Sequence, residues 1–121
     1  MVLATEKRNQ LVEAYFDALD EEKYEELPGL FTEDATYVHP SATVEGGEGI
    51  RRLFAENRRT ETTDHQITRR VHGTDATVCE GTVTGEFIDG DAFDGEFMDA
   101  FEFDEESERI AVISVYTRNV Y

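Results

Sequence analysis

The sequence is short of several residue types, and each shortage excludes a class of protein. It contains one cysteine, Cys79, among 121 residues, so an internal disulfide and a metal site built only from cysteines are both excluded. No apolar run approaches the length needed to cross a membrane, and the N-terminal segment lacks the apolar core of a signal peptide. We therefore expect a soluble, cytoplasmic protein.

Basic residues are scarce as well. Eleven Lys and Arg stand against 28 Asp and Glu, which gives a formal net charge of −17, and the only lysines are Lys7 and Lys23. A surface this acidic repels phosphate backbones and anionic lipid. We expect neither nucleic acid nor a membrane surface as a partner.

The acids are spread along the whole chain and alternate with apolar residues, as on a folded acidic surface. Many acids with almost no lysine resemble the composition of proteins from salt-accumulating halophiles. Self-repulsion of this size is relieved when salt screens the charges, so we expect folding to depend on high salt. An acidic protein from a mesophile is the alternative.

Enough apolar residues are present for a core, since hydrophobic residues make up 39% and aromatic residues 11% of the chain. We expect one domain over 1–121. The first half predicts three helices and one short strand. Apolar residues recur at helical spacing in the first helix, with Thr5 as its expected N-cap, while Pro28 and Pro40 are expected to end the second helix and the strand. These elements cover 11–19, 20–27, 35–39 and a stretch that begins with the glycines at 46–49.

The second half predicts four strands, at 65–72, 76–88, 92–103 and 109–118. Asp89 and Gly90 between two apolar runs are typical of a hairpin turn. The last strand is apolar on both faces, which indicates a central position. Helices followed by an antiparallel meander predict an α+β fold, a cone in which the N-terminal helices pack on one face of a curved, mostly antiparallel sheet. Such a sheet leaves an apolar pocket under the helices.

Asp99 stands out because strand alternation places it on the same face as a row of phenylalanines. Burial there raises the pKa of a carboxyl group unless a cation or several donors stabilise its charge. Two alternatives remain open: a buried carboxylate held by a backbone amide or by Arg118, and a bulge that turns the side chain outward.

Two further residues are candidates for chemistry. Tyr15 lies in the apolar stripe of the first helix, so its hydroxyl needs a partner in the core; ordinary aromatic packing is the alternative. His39 ends the first strand, where a base could face the pocket, or where it could simply hydrogen-bond the backbone at the rim. His65 and His72, seven residues apart on one strand, are expected on opposite faces and therefore cannot chelate together.

The remaining signals are weak. No metal-binding motif is present and the glycines at 46–49 match no nucleotide-binding loop, so we expect no metal and no cofactor. Six arginines lie within a window of twenty residues, where they could attract an anionic substrate group, although pairing with neighbouring acids is the favoured interpretation. They are Arg51, Arg52, Arg58, Arg59, Arg69 and Arg70.

Taken together, the order of elements and the phrase Leu-Phe-Thr-Glu-Asp-Ala-Thr-Tyr-Val-His-Pro at 30–40 resemble the nuclear transport factor 2-like superfamily. Within it the chain is most similar to SnoaL-like polyketide cyclases and ketosteroid isomerases, from about residue 6 to 118. The resemblance implies that Tyr15 binds an oxyanion and that Asp99 is a second, protonated donor, the arrangement for which ketosteroid isomerase is a standard example. The isomerase family has an aspartate base where this chain has His39.

These residues predict a cofactor-free isomerase or aldol-type cyclase for a small, mostly apolar carbonyl compound. His39 would remove a proton beside the carbonyl, and Tyr15 and Asp99 would stabilise the enolate oxygen. The expected pocket wall includes Phe97, Phe101, Tyr37 and Phe54.

Two other functions remain open. One is a module of the same fold that binds a small ligand or only dimerises, and the other is an epoxide hydrolase using Asp99 with Arg69 and Arg118. The resemblance further implies a homodimer formed through the free sheet face, on which we expect Met98, Ala100, Ile113 and Val115.

Overall fold

The computed structural model describes residues 3–120. Met1 and Val2, part of the N-terminal segment considered above, lie outside the described residues. Two α-helices, one 3₁₀ helix and six strands follow one another along the chain. They are α1 (Thr5–Asp20), the 3₁₀ helix (Tyr24–Leu30), β1 (Phe31–His39), β2 (Ala42–Glu45), α2 (Gly46–Glu56), β3 (Thr60–His72), β4 (Ala76–Phe87), β5 (Ala92–Asp104) and β6 (Arg109–Arg118).

The six strands form one sheet in the order β2-β1-β6-β5-β4-β3. Every neighbouring pair is antiparallel except β1 and β6, which are parallel. The three helices pack on one face of this curved open sheet, so the predicted α+β cone is confirmed. β6 lies inside the sheet, as its apolar character on both faces predicts. No helix within the described 3–120 is long and apolar enough to span a bilayer.

The helix predictions need two corrections. α1 begins at Thr5 itself, after an extended Ala4, and no side chain caps it. The second helix is a 3₁₀ helix that contains Pro28 instead of ending there. Proline is tolerated in this short helix because its carbonyl still accepts a hydrogen bond, here from the N–H of Phe31.

The strand predictions differ from the structure mainly at polar segments. β2 is an edge strand of four residues that pairs with β1, and it escapes sequence detection because its residues carry no strong apolar alternation. β3 begins five residues earlier than expected, at Thr60, because pairing with β4 orders the polar stretch 60–64. The extension matters, since this stretch reaches the cavity described below.

β3 also contains a bulge between Ile67 and Arg69. The extra residue reverses the alternation, so His65 pairs opposite Val83 and His72 opposite the buried Thr77, both on the inner face. The prediction that His65 and His72 lie on opposite faces is therefore wrong.

The free face of the sheet also differs from the prediction. Ile113 and Val115 are buried under the helices, whereas Met98 lies on the outer face opposite Tyr116. The prediction placed both residues of β6 on the wrong side because that strand is apolar on both faces, which leaves alternation without a signal. Exposed apolar residues on the strands are Val38, Val71, Met98 and Tyr116.

Hydrogen bonds from the side chain of Arg8 connect α1 to the turn between β3 and β4. This side chain is 3% exposed, and its guanidinium lies 5.5 Å from the ring centre of Phe103. All three of its nitrogens donate hydrogen bonds, mostly to backbone carbonyls, which satisfies a cation buried against the sheet. The acceptors are the carbonyl oxygens of Leu3, Gly73, Thr74 and Ala76 and the hydroxyl of Thr77.

Candidate active site

A partly enclosed cavity of about 50 Å³ lies between the helices and the inner face of the sheet. That volume accommodates about four water molecules or a small organic group. Its wall combines aromatic rings with a few polar side chains. It is lined by Tyr15, Leu19, Tyr24, Tyr37, His39, Phe54, Arg58, Thr60, Thr63, His65, Val83, Phe93, Phe97, Asp99, Val115, Thr117 and Val120.

His65 and Asp20 form a hydrogen-bonded pair at this cavity. Nδ1 of His65 donates to Oδ1 of Asp20 over 2.6 Å, and the backbone N–H of His65 donates to Oδ2 of the same carboxylate over 2.9 Å. The Thr63 hydroxyl donates to Oδ1 over 2.8 Å. These bonds orient the carboxylate. Because a carboxylate oxygen only accepts, Nδ1 of His65 carries a proton, and in the corresponding neutral tautomer Nε2 is the acceptor.

This pair was not among the residues predicted from the sequence. Asp20 is the last residue of α1, where a negative charge is unfavourable beside the carbonyl end of the helix and no basic residue stands in the last turn. Thr63 and His65 are polar residues on the inward face of a strand. Two signals could have indicated the pair. One is an acid at the C-terminal end of a helix, and the other is the presence of polar residues on the strand face that packs on the core.

Asp99 lies where the sequence analysis expected it, on the inner face of β5. It is 3% exposed, and its Oδ1 has no hydrogen-bond partner within the described part of the chain. Burial alone raises the pKa of Asp99 well above its usual value. The register of β5 is continuous at this residue, so the bulge alternative is wrong, and Arg118 instead pairs with Glu96 over 2.8 Å.

We expect Asp99→Asn to be more stable than the wild type at neutral pH, with a difference that grows as pH rises. Burial raises the pKa of Asp99 well above its usual value in the fold, whereas in the unfolded chain the group ionises above its ordinary pKa of 3.8. The wild type therefore loses stability as pH rises above about 4, by up to about 1.4 kcal/mol per unit until the folded group ionises. The amide is similar in size and cannot ionise.

Urea unfolding from pH 4 to pH 8 measures this difference. Asp94→Asn is the control, since Asp94 is exposed on the other face of the same strand. A stability difference between Asp99→Asn and wild type that is independent of pH would show that the carboxyl is ionised in the fold.

Tyr15 and Tyr37 meet through their hydroxyl groups, 3.1 Å apart and both buried. One hydroxyl donates to the other, and this polarises the accepting O–H group. The Tyr15 ring also packs edge-on against Phe101 at 5.7 Å, which holds it against the sheet beside Asp99. The pair adds phenolic hydroxyls to the polar groups of the cavity wall.

His39 lies at the mouth of the same cavity. Its ring stacks on Tyr37 with centres 5.9 Å apart. Burial, and secondarily the charge of Arg59, lowers the pKa of His39 to about 4. Tyr15, His39 and Asp99 thus line one cavity, together with the expected wall residues Phe97, Tyr37 and Phe54. Phe101 does not line it and packs beneath Tyr15 and Phe16 in the core.

The chain was compared with known proteins at the level of sequence and of fold. The family model of the SnoaL-like domain matches residues 12–113, which include part of α1, the other two helices, most of the sheet and most of the residues that line the cavity. This chain belongs to the SnoaL-like domain family. A search of curated proteins gives no significant match.

Solved structures share the fold of this SnoaL-like domain at low sequence identity. An LEH-like epoxide hydrolase from M. tuberculosis is 20% identical with a TM-score of 0.79, over 94% of this chain and 84% of that one. A hypothetical protein with a ketosteroid isomerase-like fold from Catenulispora acidiphila, in complex with trimethylamine, is 23% identical with a TM-score of 0.79, over 91% and 85%. An NTF2-like protein from Anabaena variabilis is 17% identical with a TM-score of 0.81, over 94% and 88%.

The arginine-based alternative from the sequence analysis does not assemble in this SnoaL-like domain. Arg69 pairs with Glu80 and Arg118 with Glu96, all on the exposed face of the sheet. Asp99 faces the opposite way, and no arginine contributes to its pKa. The expectation of Asp99 with Arg69 and Arg118 around a water molecule is therefore wrong. Among residues 3–120, no group of three or more His, Cys, Asp or Glu is arranged to hold a metal ion.

Proposed function

We propose that this SnoaL-like domain is a cofactor-free isomerase or aldol-type cyclase acting on a small carbonyl compound by acid–base chemistry. The observation that carries the proposal is the Asp20–His65 pair at a cavity whose wall also holds the buried Asp99, the pKa of which burial raises well above its usual value. Enolisation needs a base that removes a proton from carbon and a neutral acid that donates to the carbonyl oxygen. The different environments of His65 and Asp99 suit them to these two roles.

In the first step, Nε2 of His65 removes a proton from the carbon beside the carbonyl group. The imidazolium that forms is stabilised by the carboxylate of Asp20 at 2.6 Å. The electrons of the broken C–H bond move onto the carbonyl oxygen, which accepts hydrogen bonds from Asp99 and from a hydroxyl of the tyrosine pair. The sequence-based hypothesis gave the role of base to His39, but the hydrogen bonds to Asp20 favour His65.

In the second step the enolate either recovers a proton or forms a carbon–carbon bond. If His65 returns its proton to a different carbon, the product is an isomer. If the enolate carbon attacks a second carbonyl of the same molecule, the alkoxide takes the proton and the product is a ring. Both routes leave the protein unchanged and consume no cofactor.

The size and walls of the cavity support a small, mostly apolar substrate. A volume of about 50 Å³ lined by Phe54, Phe93 and Phe97 buries a few carbon atoms well and leaves no room for a four-ring compound in this conformation.

Hydrogen–deuterium exchange in D₂O tests the proposal whichever product the second step forms, because both routes begin with loss of the same proton. A panel of small ketones and diketones is incubated with the protein, and loss of the protons beside the carbonyl is followed by ¹H NMR. We expect accelerated exchange for at least the smaller members. Binding without accelerated exchange across the panel would contradict the enzymatic proposal.

A binding module is the second candidate, and one observation favours it. The structural neighbour from Catenulispora acidiphila holds trimethylamine, and aromatic walls such as those of Tyr24, Tyr37 and Phe54 suit small alkylammonium ions through cation–π contacts. The two candidates differ in the exchange experiment, because a binding module protects bound ketones or ignores them but does not exchange their protons.

We also propose that two copies pair through the outer face of the sheet. Exposed Met98 and Tyr116 give that face an apolar centre, and the ion pairs Arg118–Glu96 and Arg69–Glu80 supply both charge signs around it. A face with both signs complements a second copy of itself related by a twofold axis.

Light scattering in molar KCl is expected to return twice the monomer mass of 13.8 kDa. Met98→Glu should shift the protein towards monomer by placing like charges from both copies near the centre of a paired interface. Ile88→Glu is the matched control, because Ile88 is also exposed but lies in the β4–β5 turn. A monomeric wild type would contradict the proposal.

A further inference from the structure

We propose that Val120 determines which carbonyl compounds fit the cavity, because its side chain fills one end of it and so limits the length of the substrate. This rests on the proposed function of the cavity and adds a residue that sets its specificity. Val120 is 6% exposed and lines the cavity together with Phe93 and Phe97 of β5. It follows β6 and is not itself part of a strand.

A residue in the left-handed conformation turns Val120 inward after β6. Val115 and Thr117 of β6 line the cavity, so regular alternation would place residue 119 on the inner face of the sheet and Val120 on the outer face. Asn119 instead has a φ of 64°, a conformation that asparagine adopts more readily than most residues. The turn at Asn119 therefore directs the side chain of Val120 back over the inner face.

Val120 lies over Gly95, on the inner face of β5. A Cβ atom at Gly95 would overlap Cγ2 of Val120 and would lie 2.6 Å from the carbonyl oxygen of Arg118. Glycine in a strand often marks such a close approach of another part of the chain. The missing side chain of Gly95 thus provides the space that Val120 occupies.

Two other glycines on the inner face are covered by side chains of β5. The ring of Phe97 lies over Gly81 and the ring of Phe93 over Gly85, where a Cβ atom would be 2.9 and 3.0 Å from the respective Cζ atoms. β5 is paired on both sides, with β4 and with β6. Val120 covers Gly95 from outside the strands, so its side chain can be shortened without disturbing the pairing of the sheet.

Shortening Val120 to alanine removes two methyl groups from the end of the cavity. Space for about two carbon atoms opens above Gly95, while the rest of the wall stays in place. Each buried methylene group strengthens binding about fourfold. A ketone two carbons longer than the longest that fits the wild type should therefore bind Val120→Ala about 15-fold more tightly than it binds the wild type.

Titration of 2-alkanones from 2-butanone to 2-decanone by ¹H NMR measures this length limit. For the wild type we expect the dissociation constant to fall with each added carbon up to a certain chain length and then to stop falling. In Val120→Ala that length should increase by about two carbons. Val12→Ala is the matched control, because Val12 is fully buried in α1 but does not line the cavity. An unchanged limit in Val120→Ala, or the same increase in Val12→Ala, would overturn the inference.

Gly95→Ala tests the contact with Val120 by a second route. Its methyl group would take the position of Cγ2 of Val120 and displace that side chain, so the length limit should increase here too. Adding Val120→Ala to this variant should then lower Tm less than Val120→Ala does in the wild type, because the contact is already lost. Equal decreases in Tm would show that Val120 does not rest on Gly95 and would contradict the inference.

Alkylbenzenes from benzene to butylbenzene separate the length limit from the proposed reaction, because they contain no carbonyl group. We expect the same increase for them in Val120→Ala. If they show it while no ketone exchanges its protons in D₂O, the proposed reaction is wrong and the role of Val120 stands. If ketones exchange their protons but neither series shows the increase, the role of Val120 alone is wrong.

Discussion

Replacing His65 with glutamine is expected to reduce proton exchange of the best ketone in the panel by about 10²–10⁴-fold, the range for loss of a general base. Gln is close to His in size, so the wall nearly keeps its shape, although its amide takes the place of Nε2 and not of the Nδ1 that donates to Asp20. It has no group that accepts a proton at neutral pH. The rate should therefore fall while binding of the ketone changes little.

His72→Gln is the matched control. His72 lies on the same strand and the same face, but its Nδ1 is bonded to Thr77 over 2.9 Å and it does not line the cavity. We expect full activity for this variant. Asp20→Asn should also slow exchange, because an amide carries no charge to stabilise the imidazolium of His65. If His65→Gln retained the wild-type rate, the base would have to be another residue.

Replacing Arg8 with methionine is expected to lower the free energy of unfolding by about 3 kcal/mol and Tm by about 10–15 °C. Methionine keeps an apolar stem of similar length but donates no hydrogen bonds. The carbonyl oxygen of Leu3, 2.9 Å from Nε of Arg8, then loses this donor at a buried site, and the carbonyl oxygens of Gly73 and Thr74, each 2.7 Å from the guanidinium, lose theirs at part-buried positions. The β3–β4 turn would also lose its attachment to α1.

Arg69→Met controls for removing a positive charge from a chain with few of them. Arg69 is exposed and makes a single surface ion pair with Glu80 at 3.4 Å, so we expect a change within about 0.5 kcal/mol. Thermal melting of the three proteins in the same molar KCl measures both effects. Similar melting temperatures for Arg8→Met and Arg69→Met would contradict the structural role of Arg8.

The long strands of the second half could be predicted from the sequence because the apolar alternation along each strand and the turn residues between the strands indicate the same structure. In β5 the alternation of Phe93, Phe97 and Phe101 with exposed acids matches the burial pattern residue by residue, and the turn at Gly90 has the positive φ that its sequence requires. β2 and the start of β3 could not be predicted, since their order comes from pairing with β1 and with β4 and not from an apolar pattern of their own.

The candidate site likewise contains one residue that the sequence indicates and others that it does not. Asp99 could be found because a carboxyl group in a phenylalanine face conflicts with its neighbours along one strand. The pair of Asp20 and His65 joins residues 45 positions apart, and nothing local to either residue requires the other. The hydrogen bond to His39 likewise depends on the turn after β1, which brings the backbone N–H of Ser41 to Nδ1 of the ring.

The bulge at Thr68 has a consequence for how relatives of this chain should be aligned. Thr68 is the extra residue between Ile67 and Arg69, and its hydroxyl reaches the carbonyl of Glu80. A homologue that lost this one residue would form a regular strand with the same side chains facing inward. In a homologue of equal length without the bulge, the alternation beyond Ile67 would be reversed. Side chains that face inward here would face outward there, and the reverse. During divergence, deletion at this position is therefore conservative, and an ungapped alignment across β3 can pair residues that lie on opposite sides of the sheet.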